Sequence, residues 1–316
     1  MYKKQHDNCI IHTNACRCFL EIKRLYKLIF RILRKTKRNT LGKKYKKMNK
    51  RNLILFLACL TVTITSFNTV ENKNLFDIIV IDAGHGGHDP GCNGGNSKEK
   101  EVTLSIALKL GKLIEDSLKD VKVVYTRKTD KFIELSERSN IANKNSADLF
   151  ISIHCNANDN KEANGTETYL MGLHKMEGNL EVSKRENNVI LLEENYKTNK
   201  SYEGYDPNSP AAHIIFSLMQ NAYRAQSIKF AGLVESEFKT KSKLKSRGVK
   251  EAGFLVLWRT AMPGVLIETG FLSSESDRKT LSKDSGQIIM ANAIFNAVKK
   301  YKTSTVATPA AGGAKK

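Results

Sequence analysis

Short apolar runs that end in glycine or polar residues recur along the chain, and they predict the strands of a sheet. Ile78–Ile81 is followed by Asp-Ala-Gly-His-Gly-Gly, and Leu149–Ile153 is followed by His-Cys-Asn. Val265–Ile267 ends in Glu-Thr-Gly. Continuous apolar runs are typical of parallel strands buried on both faces. We therefore expect three central strands, each with chemically active residues at its carboxyl end.

Helical spacing separates these strands. Val102, Ile106 and Leu110 recur every four residues, which predicts a helix, although the alternation over 102–110 also allows a strand. Residues 134–144 have helical spacing too, whereas 121–126 and 165–170 alternate as strands. Alternation of strands and helices predicts an α/β fold with a mixed, mostly parallel sheet flanked by helices on both faces.

A long polar stretch, about 171–246, interrupts the predicted domain. It exceeds the length of an ordinary connection and contains two apolar islands, Val189–Leu192 and a helical pattern over 211–238. We interpret it as a helical insert. The last residues, 302–316, lack apolar periodicity, and we expect a disordered tail.

Positive charge is concentrated at the front of the chain. The 316 residues have a net charge of +20, but residues 1–51 contain 17 of the 52 lysines and arginines and two acidic residues. The rest has 35 basic and 30 acidic residues, so its composition does not indicate binding to nucleic acid. Residues 1–47 are either an untranslated extension before Met48 or a basic cytoplasmic arm.

Residues 48–66 resemble an export signal. Asn-Lys-Arg-Asn precedes the apolar run Leu53–Ile64, as in a signal peptide. The run is short for a membrane span, which needs about 20 residues, so a membrane tether is the second interpretation and a lipoprotein attached at Cys59 the third. We expect an exported protein of the periplasm or cell envelope.

Two strand ends each supply a histidine. His85 and His154 follow the first two predicted strands, and ligands of open α/β sheets bind where strands end. A catalytic zinc ion takes three ligands from histidines and carboxylates and keeps one position open. Our choice for the third ligand is Glu99, which directly precedes the predicted helix. Glu101 and Asp89 remain alternatives, because periodicity does not separate the three.

Glu268 ends the third predicted strand. A carboxylate after an apolar run is costly to bury, but beside a metal ion it can take a proton from a water molecule and pass it to a leaving group. Cys155 is a competing nucleophile. Neighbouring strand residues point to opposite faces, so Cys155 faces away if His154 faces the site.

Three further residues have open assignments. Cys92 and Cys155 both adjoin these turns, and we interpret them as packed thiols, with a disulfide as the alternative. Glu167 lies on the strand predicted over 165–170, either near the site or on a solvated strand face.

The chain resembles the zinc-dependent N-acetylmuramoyl-L-alanine amidases, whose motifs stand here in order over about 77–301. The motifs are GHGG-x-DPG at Gly84–Gly91, EK-x-V at Glu99–Val102, TR-x-x-D at Thr126–Asp130, SIH-x-N at Ser152–Asn156, RG at Arg247–Gly248 and ETGF at Glu268–Phe271. The resemblance implies His85, Glu99 and His154 as zinc ligands and Glu268 as the catalytic glutamate. It selects Glu99 over Glu101.

The resemblance also implies a reaction. The expected substrate is peptidoglycan, cut at the amide between N-acetylmuramic acid and L-alanine during wall turnover or cell separation. Some amidases of this family have an insert helix that covers the zinc and is displaced by an activator protein. We therefore consider Glu193 or Glu194 as a residue that caps the metal, against the alternative of a solvated acidic pair. We expect a monomer.

Two other functions stay open. The first is a zinc peptidase that cuts within the stem peptide, although the HExxH and HxxEH helices typical of such enzymes do not occur in the sequence. The second is a catalytically silent wall-binding or regulatory module.

Overall fold

A six-stranded sheet organises the part of the chain that the computed structural model describes, residues 76–172, 177–202 and 223–306. Its strands are β1 (Ile78–Ala83), β4 (Lys122–Tyr125), β5 (Leu149–Asn156), β6 (Thr166–Met171), β7 (Ser246–Ala252) and β8 (Gly264–Phe271), and β2 (Asn93–Gly94) and β3 (Ser97–Lys98) form a separate hairpin. The strand order is β4-β1-β5-β8-β6-β7. Only the pairing of β6 with β8 is antiparallel in this sheet.

Seven helices accompany the described strands. They are α1 (Glu99–Ser117), α2 (Leu135–Lys144), α3 (Glu177–Asn187), α4 (Arg224–Lys241), α5 (Leu255–Trp258), α6 (Glu275–Leu281) and α7 (Asp284–Val306). Two 3₁₀ turns, Asn188–Leu192 and Lys200–Tyr202, follow α3. The predicted fold class, a mixed and mostly parallel sheet with flanking helices, is confirmed.

Alternate residues of the central strands pack into two separate cores. Ile151 and Ile153 of β5 face a core built with α1, α4 and α7. Phe150 of the same strand faces a second core built with α2, α3 and α5. Because side chains alternate along a strand, His154 shares the face of Phe150, and Cys155 shares the face of Ile153. The two sides of the sheet thus have different chemistry at the same strand end.

The structure decides one alternative and changes two predicted assignments. Residues 99–117 form the predicted helix and not the alternative strand, because Val102, Ile106 and Leu110 share one buried face with Ile114. Residues 302–306, assigned by sequence to the tail, continue α7, whose Tyr301 is buried against the core. Within the predicted insert, α4 forms part of the core, because its apolar face packs on the sheet.

Some predictions lie outside the described residues. These are the basic extension 1–47, the export signal or tether at 48–66, and the tail after 306. In the described ranges, no helix combines the length and apolar character that crossing a bilayer requires.

Candidate active site

The turn after β1 presents His85 at the carboxyl edge of the sheet. His85 has a left-handed backbone, with φ of 60°. Two neighbouring positions have no room for a side chain and must be glycine. A Cβ on Gly84 would lie 2.5 Å from the His154 ring, and a Cβ on Gly91 would lie 2.6 Å from Glu99 Oε2. The buried Arg138 fixes the turn by donating to the His85 carbonyl oxygen at 2.9 Å. The motif therefore encodes a crowded, rigid turn.

Glu99 is the first residue of α1 and is fully buried. Its Oε2 accepts the backbone N–H of Cys92 at 2.8 Å, and its Oε1 accepts that of Cys155 at 2.8 Å. Burial opposes its charge, but the neighbouring imidazoles of His85 and His154 hold the pKa of Glu99 far below its usual value. The carboxylate is thus fixed in its ionised form beside both histidines.

Four side chains converge at this edge. His85 Nε2 lies 3.1 Å from Glu99 Oε1, and His154 Nδ1 lies 3.2 Å from the same oxygen. Glu186 Oε2 lies 3.3 Å from His85 Nε2 and 3.1 Å from His154 Nδ1. All four ligand atoms lie within 4.8 Å of one another. The structure therefore brings His85, Glu99 and His154 together and adds Glu186.

This donor set fits a zinc ion. Four atoms bonded tetrahedrally to zinc at about 2.0–2.1 Å lie about 3.3–3.4 Å apart, close to the nitrogen–oxygen separations of this cluster. His85 Nε2 and Glu186 Oε2 are buried without a hydrogen-bond partner. On its other side, His85 Nδ1 contacts Asp89 Oδ2 at 2.7 Å, the outer carboxylate that commonly orients a metal-binding imidazole.

The rival third ligands lie elsewhere. Asp89 contacts His85 Nδ1, on the side of the ring away from the cluster, and Glu101 is exposed on α1. The carboxylates of Glu99, Glu186 and Asp89 concentrate negative charge beside the two buried imidazoles. That excess favours a bound cation.

Glu186 on α3 is the residue that sequence analysis missed. The hypothesis that Glu193 or Glu194 caps the metal is not what the structure shows. Glu193 Oε1 instead accepts the backbone N–H of Leu135 at 2.8 Å, at the start of α2, and the Tyr202 hydroxyl at 2.9 Å. Glu194 is exposed. The physical reason is that the 3₁₀ turn after α3 directs Glu193 to α2.

A signal for Glu186 does exist in the sequence. The buried face of α3 consists of Asn179, Val182, Ser183, Glu186 and Asn187, which have helical spacing. Four of these five residues are polar, so a search for apolar periodicity passes over the helix. A polar stripe with helical spacing indicates a helix that packs on a polar site.

Glu268 lies opposite His154 in the register of the parallel strands β5 and β8. It is fully buried, and neither carboxylate oxygen has a hydrogen-bond partner. Burial and the nearby charge of Glu186 raise the pKa of Glu268 well above its usual value. The guanidinium of Arg185 faces it, with Nη2 3.7 Å from Glu268 Oε1. This is the environment of a carboxyl group that exchanges protons.

The two cysteines within the described residues are packed, unpaired thiols. Cys92 and Cys155 are unpaired, and the Cys92 thiol donates to the Cys155 carbonyl oxygen at 3.2 Å. Cys155 Sγ packs against Thr269 on the apolar face of β5, and burial raises its thiol pKa well above the usual value. Cys155 therefore points away from His154, as alternation along a strand predicts.

Glu167 lies at the site and not on a solvated strand face. It is 2% exposed and pairs with Glu268 in the register of β6 and β8. Its carboxylate accepts hydrogen bonds from Arg247 and Lys250 on β7 and, at 2.9 Å, from Asn156 Nδ2 on β5. The RG motif thus contributes a cation that neutralises a buried carboxylate.

Comparison with known proteins identifies the fold and the family. The family model described as N-acetylmuramoyl-L-alanine amidase (Amidase_3) matches residues 79–300. The chain belongs to this family. The match extends from β1 into α7 and includes every residue of the cluster.

Named relatives agree with this assignment. The amidase AmiA of Escherichia coli K12 is 31% identical over 227 residues, which are 71% of this chain and 75% of that protein. Against AmiC of another Escherichia coli strain, also 31% identical, the chain spans about half of the relative, 52%.

Solved structures share the fold. The N-acetylmuramoyl-L-alanine amidase of Clostridium difficile 630 has a TM-score of 0.54 at 29% identity, covering 73% of this chain and 98% of that one. The CwlD amidase of Clostridioides difficile, solved in complex with the GerS lipoprotein, has a TM-score of 0.52 at 26% identity, covering 72% and 99%.

Proposed function

We propose that this protein is a zinc-dependent amidase that hydrolyses the bond between N-acetylmuramic acid and the L-alanine of peptidoglycan. The observation that carries the proposal is the convergence of His85, Glu99 and His154 beside Glu268, whose buried carboxyl has no hydrogen-bond partner. Family membership supplies the substrate class. The protein acts outside the cytoplasmic membrane as a monomer, in wall turnover or cell separation, and an exported location suits that substrate.

His85, His154 and Glu99 would hold the metal ion. When bound, zinc polarises the scissile carbonyl and lowers the pKa of a water ligand. Glu99 is held by two backbone N–H groups and His85 by Asp89, so little reorganisation is needed to bind the ion. Preorganised ligands of this kind bind metal tightly and in one geometry.

Glu268 moves the proton. It takes a proton from the attacking water and donates it to the nitrogen that leaves as the amine of L-alanine. A carboxyl group without hydrogen-bond partners, buried on the face shared with His154, is free to hold that proton between the two steps. The carbonyl carbon gains a bond to the water oxygen and loses its bond to nitrogen, so no covalent enzyme intermediate is required.

The insert helix α3 closes the site in the state described. Glu186 lies against both histidines that would hold the metal, and Arg185 faces Glu268. We infer a resting enzyme in which α3 must move before peptidoglycan binds, and a protein activator that binds the insert is the partner that fits this need. The complex of the related CwlD with a lipoprotein is consistent with such a partner.

Digestion of purified peptidoglycan tests the proposal. The zinc-loaded full chain is incubated with the polymer, and the soluble products are analysed by mass spectrometry. The Glu186→Ala variant is assayed in parallel, because α3 of the wild type covers the site and could keep its activity low. We expect intact stem peptides that begin with L-alanine, and their loss on chelation. Peptides cut within the stem would indicate a peptidase, and new reducing sugar ends a glycosidase.

A further inference from the structure

The guanidinium of Arg185 on α3 lies over Glu268, next to the cluster of candidate metal ligands. Its Nη1 donates to the Ala157 carbonyl oxygen at 2.9 Å, and its Nη2 donates to Asn156 Oδ1 at 3.0 Å. The same Nη2 lies 3.7 Å from Glu268 Oε1. Nη2 also lies 3.0 Å from Oε1 of the neighbouring Glu186, whose Oε2 faces both histidines. This nitrogen of the insert helix therefore lies among Asn156, Glu186 and Glu268.

The position of Arg185 Nη2 indicates where the leaving nitrogen of the substrate binds. Glu268 delivers its proton to the leaving nitrogen of the substrate, so that nitrogen must come close to Glu268, where Arg185 Nη2 now lies. Resting on the proposed function, we propose that Asn156 is a substrate-binding residue whose Oδ1 accepts the N–H of the scissile amide. In the closed state, Arg185 mimics this N–H donor and Glu186 occupies the position beside the metal ligands.

Asn156 is oriented for this role. Its Nδ2 donates to Glu167 Oε2 at 2.9 Å, which directs Oδ1 toward Arg185. Asn156 Oδ1 has two lone pairs. One accepts the backbone N–H of Ala157 at 2.8 Å, and the other accepts the hydrogen bond from Arg185. Asn156 is fully buried, so no solvent competes for its orientation.

Glu167 is a positioning residue that acts through Asn156. Burial opposes its charge, but hydrogen bonds from Lys250, Tyr169 and Arg247 outweigh this and lower the pKa of Glu167 below its usual value. The ionised carboxylate accepts only, so it can receive the Asn156 NH₂ group but not donate to Oδ1. The sheet thereby fixes which end of the Asn156 amide faces the substrate.

The hydrogen bond strengthens as the reaction proceeds. As the C–N bond breaks, its electron pair stays on nitrogen, and the proton from Glu268 converts nitrogen toward an ammonium. An ionised donor makes a stronger hydrogen bond than a neutral amide. An interaction that is stronger in the transition state than in the ground state raises kcat more than it lowers KM. Loss of Asn156 Oδ1 should therefore appear mainly in kcat.

An ester substrate isolates this contact. The full chain with Arg185→Ala and Glu186→Ala, which releases α3, is assayed on an N-acetylmuramoyl-L-alanyl peptide and on the matching ester, in which oxygen replaces the scissile N–H. Asn156→Ala in this background should lower kcat for the amide about 10- to 100-fold, change KM less than about threefold, and leave the ester rate unchanged. Asn158→Ala, on the exposed loop that follows, is the matched control.

The amide-to-ester rate ratio does not depend on the fraction of protein that is folded, so a partly unfolded variant still gives a valid test. Glu167→Gln provides a second variant, with a smaller fall in the same ratio because Asn156 keeps its oxygen but loses its orienting partner. Equal losses on amide and ester, or no loss on the amide, would overturn the inference. If the released background cleaves neither murein nor the amide while it binds zinc, the proposed function itself fails.

Discussion

His154 and Glu268 are register partners on the adjacent parallel strands β5 and β8, and their side chains share the polar end of one sheet face. On this face His154 meets Glu99 and His85, and Glu268 has no hydrogen-bond partner. Strand pairing alone thus places the proposed metal ligand His154 beside Glu268, the proposed proton-transfer residue. The rest of the site is assembled around this pair by a helix terminus and a glycine-rich turn.

Removal of the Glu268 carboxylate should greatly slow catalysis without changing zinc binding. Glu268→Gln keeps the shape but cannot exchange a proton, so the rate of stem-peptide release should fall by about 10²- to 10⁴-fold. Zinc content, measured by atomic absorption, should not change. Glu194→Gln, at an exposed position, is the control. An active Glu268→Gln enzyme would assign the proton transfer to another group.

Zinc binding should stabilise the folded protein. A ligand that binds only the native state raises stability by about 2.7 kcal/mol when its concentration is 100 times Kd, so chelation should lower Tm and added zinc should restore it. The zinc-dependent rise should disappear in His85→Ala. It should persist in His88→Ala, because His88 is exposed and stacks on Phe132. A zinc response that survives His85→Ala would place the ion elsewhere.

Release of α3 should activate the enzyme. Glu186→Ala removes the carboxylate that faces both histidines, and the basal rate on peptidoglycan should rise at least several-fold without an activator. Glu181→Ala changes an exposed position on the same helix and should leave the rate unaltered. Identical basal rates for wild type and Glu186→Ala would show that α3 does not limit access.

Stability should depend on the ionisation of Glu235 on α4. Burial raises the pKa of Glu235 above its usual 4.5, despite hydrogen bonds from Ser246, Thr168 and Thr166. A raised folded-state pKa means that folding favours the protonated acid, so its contribution is complete below about pH 4.5 and is lost as the pH rises through the folded pKa.

Urea unfolding across this pH range tests the Glu235 prediction. The stability of Glu235→Gln relative to wild type should improve as the pH is raised from 4.5 to 7, because the amide does not ionise. Glu101→Gln, at an exposed position of α1, should show no such trend. A trend of opposite sign would mean that the hydrogen bonds outweigh burial.

Much of the fold follows from sequence because the central strands are continuous apolar runs. β1, β5 and β8 are buried on both faces, so their sequences carry an unambiguous signal. β7 carries none: Ser246–Ala252 is half-exposed and mainly polar, and its place is set by pairing with β6. Likewise α4 belongs to the core because of where its apolar face packs, which the spacing of residues 211–238 does not reveal.

The site residues also divide into those that the sequence predicts and those that only the tertiary structure reveals. His85, His154 and Glu268 each end an apolar run, and the sheet topology brings such ends together. Glu99 required the family motif, because Glu101 and Asp89 fit the local pattern equally. Arg185 and Glu186 sit on a helix whose buried face is polar, so hydrophobic patterning does not indicate it. Their role depends on tertiary packing, which places them over Glu268 and the histidines.

Hydrolysis in ¹⁸O-labelled water tests the central claim most directly. The zinc-loaded Glu186→Ala protein is given an N-acetylmuramoyl-L-alanyl peptide, and both products are weighed by mass spectrometry. We predict one ¹⁸O atom in the lactyl carboxylate of muramic acid, an unlabelled peptide with a free L-alanine amine, and no turnover after Glu268→Gln. Label in a peptide carboxylate or at the sugar anomeric carbon would contradict the assignment.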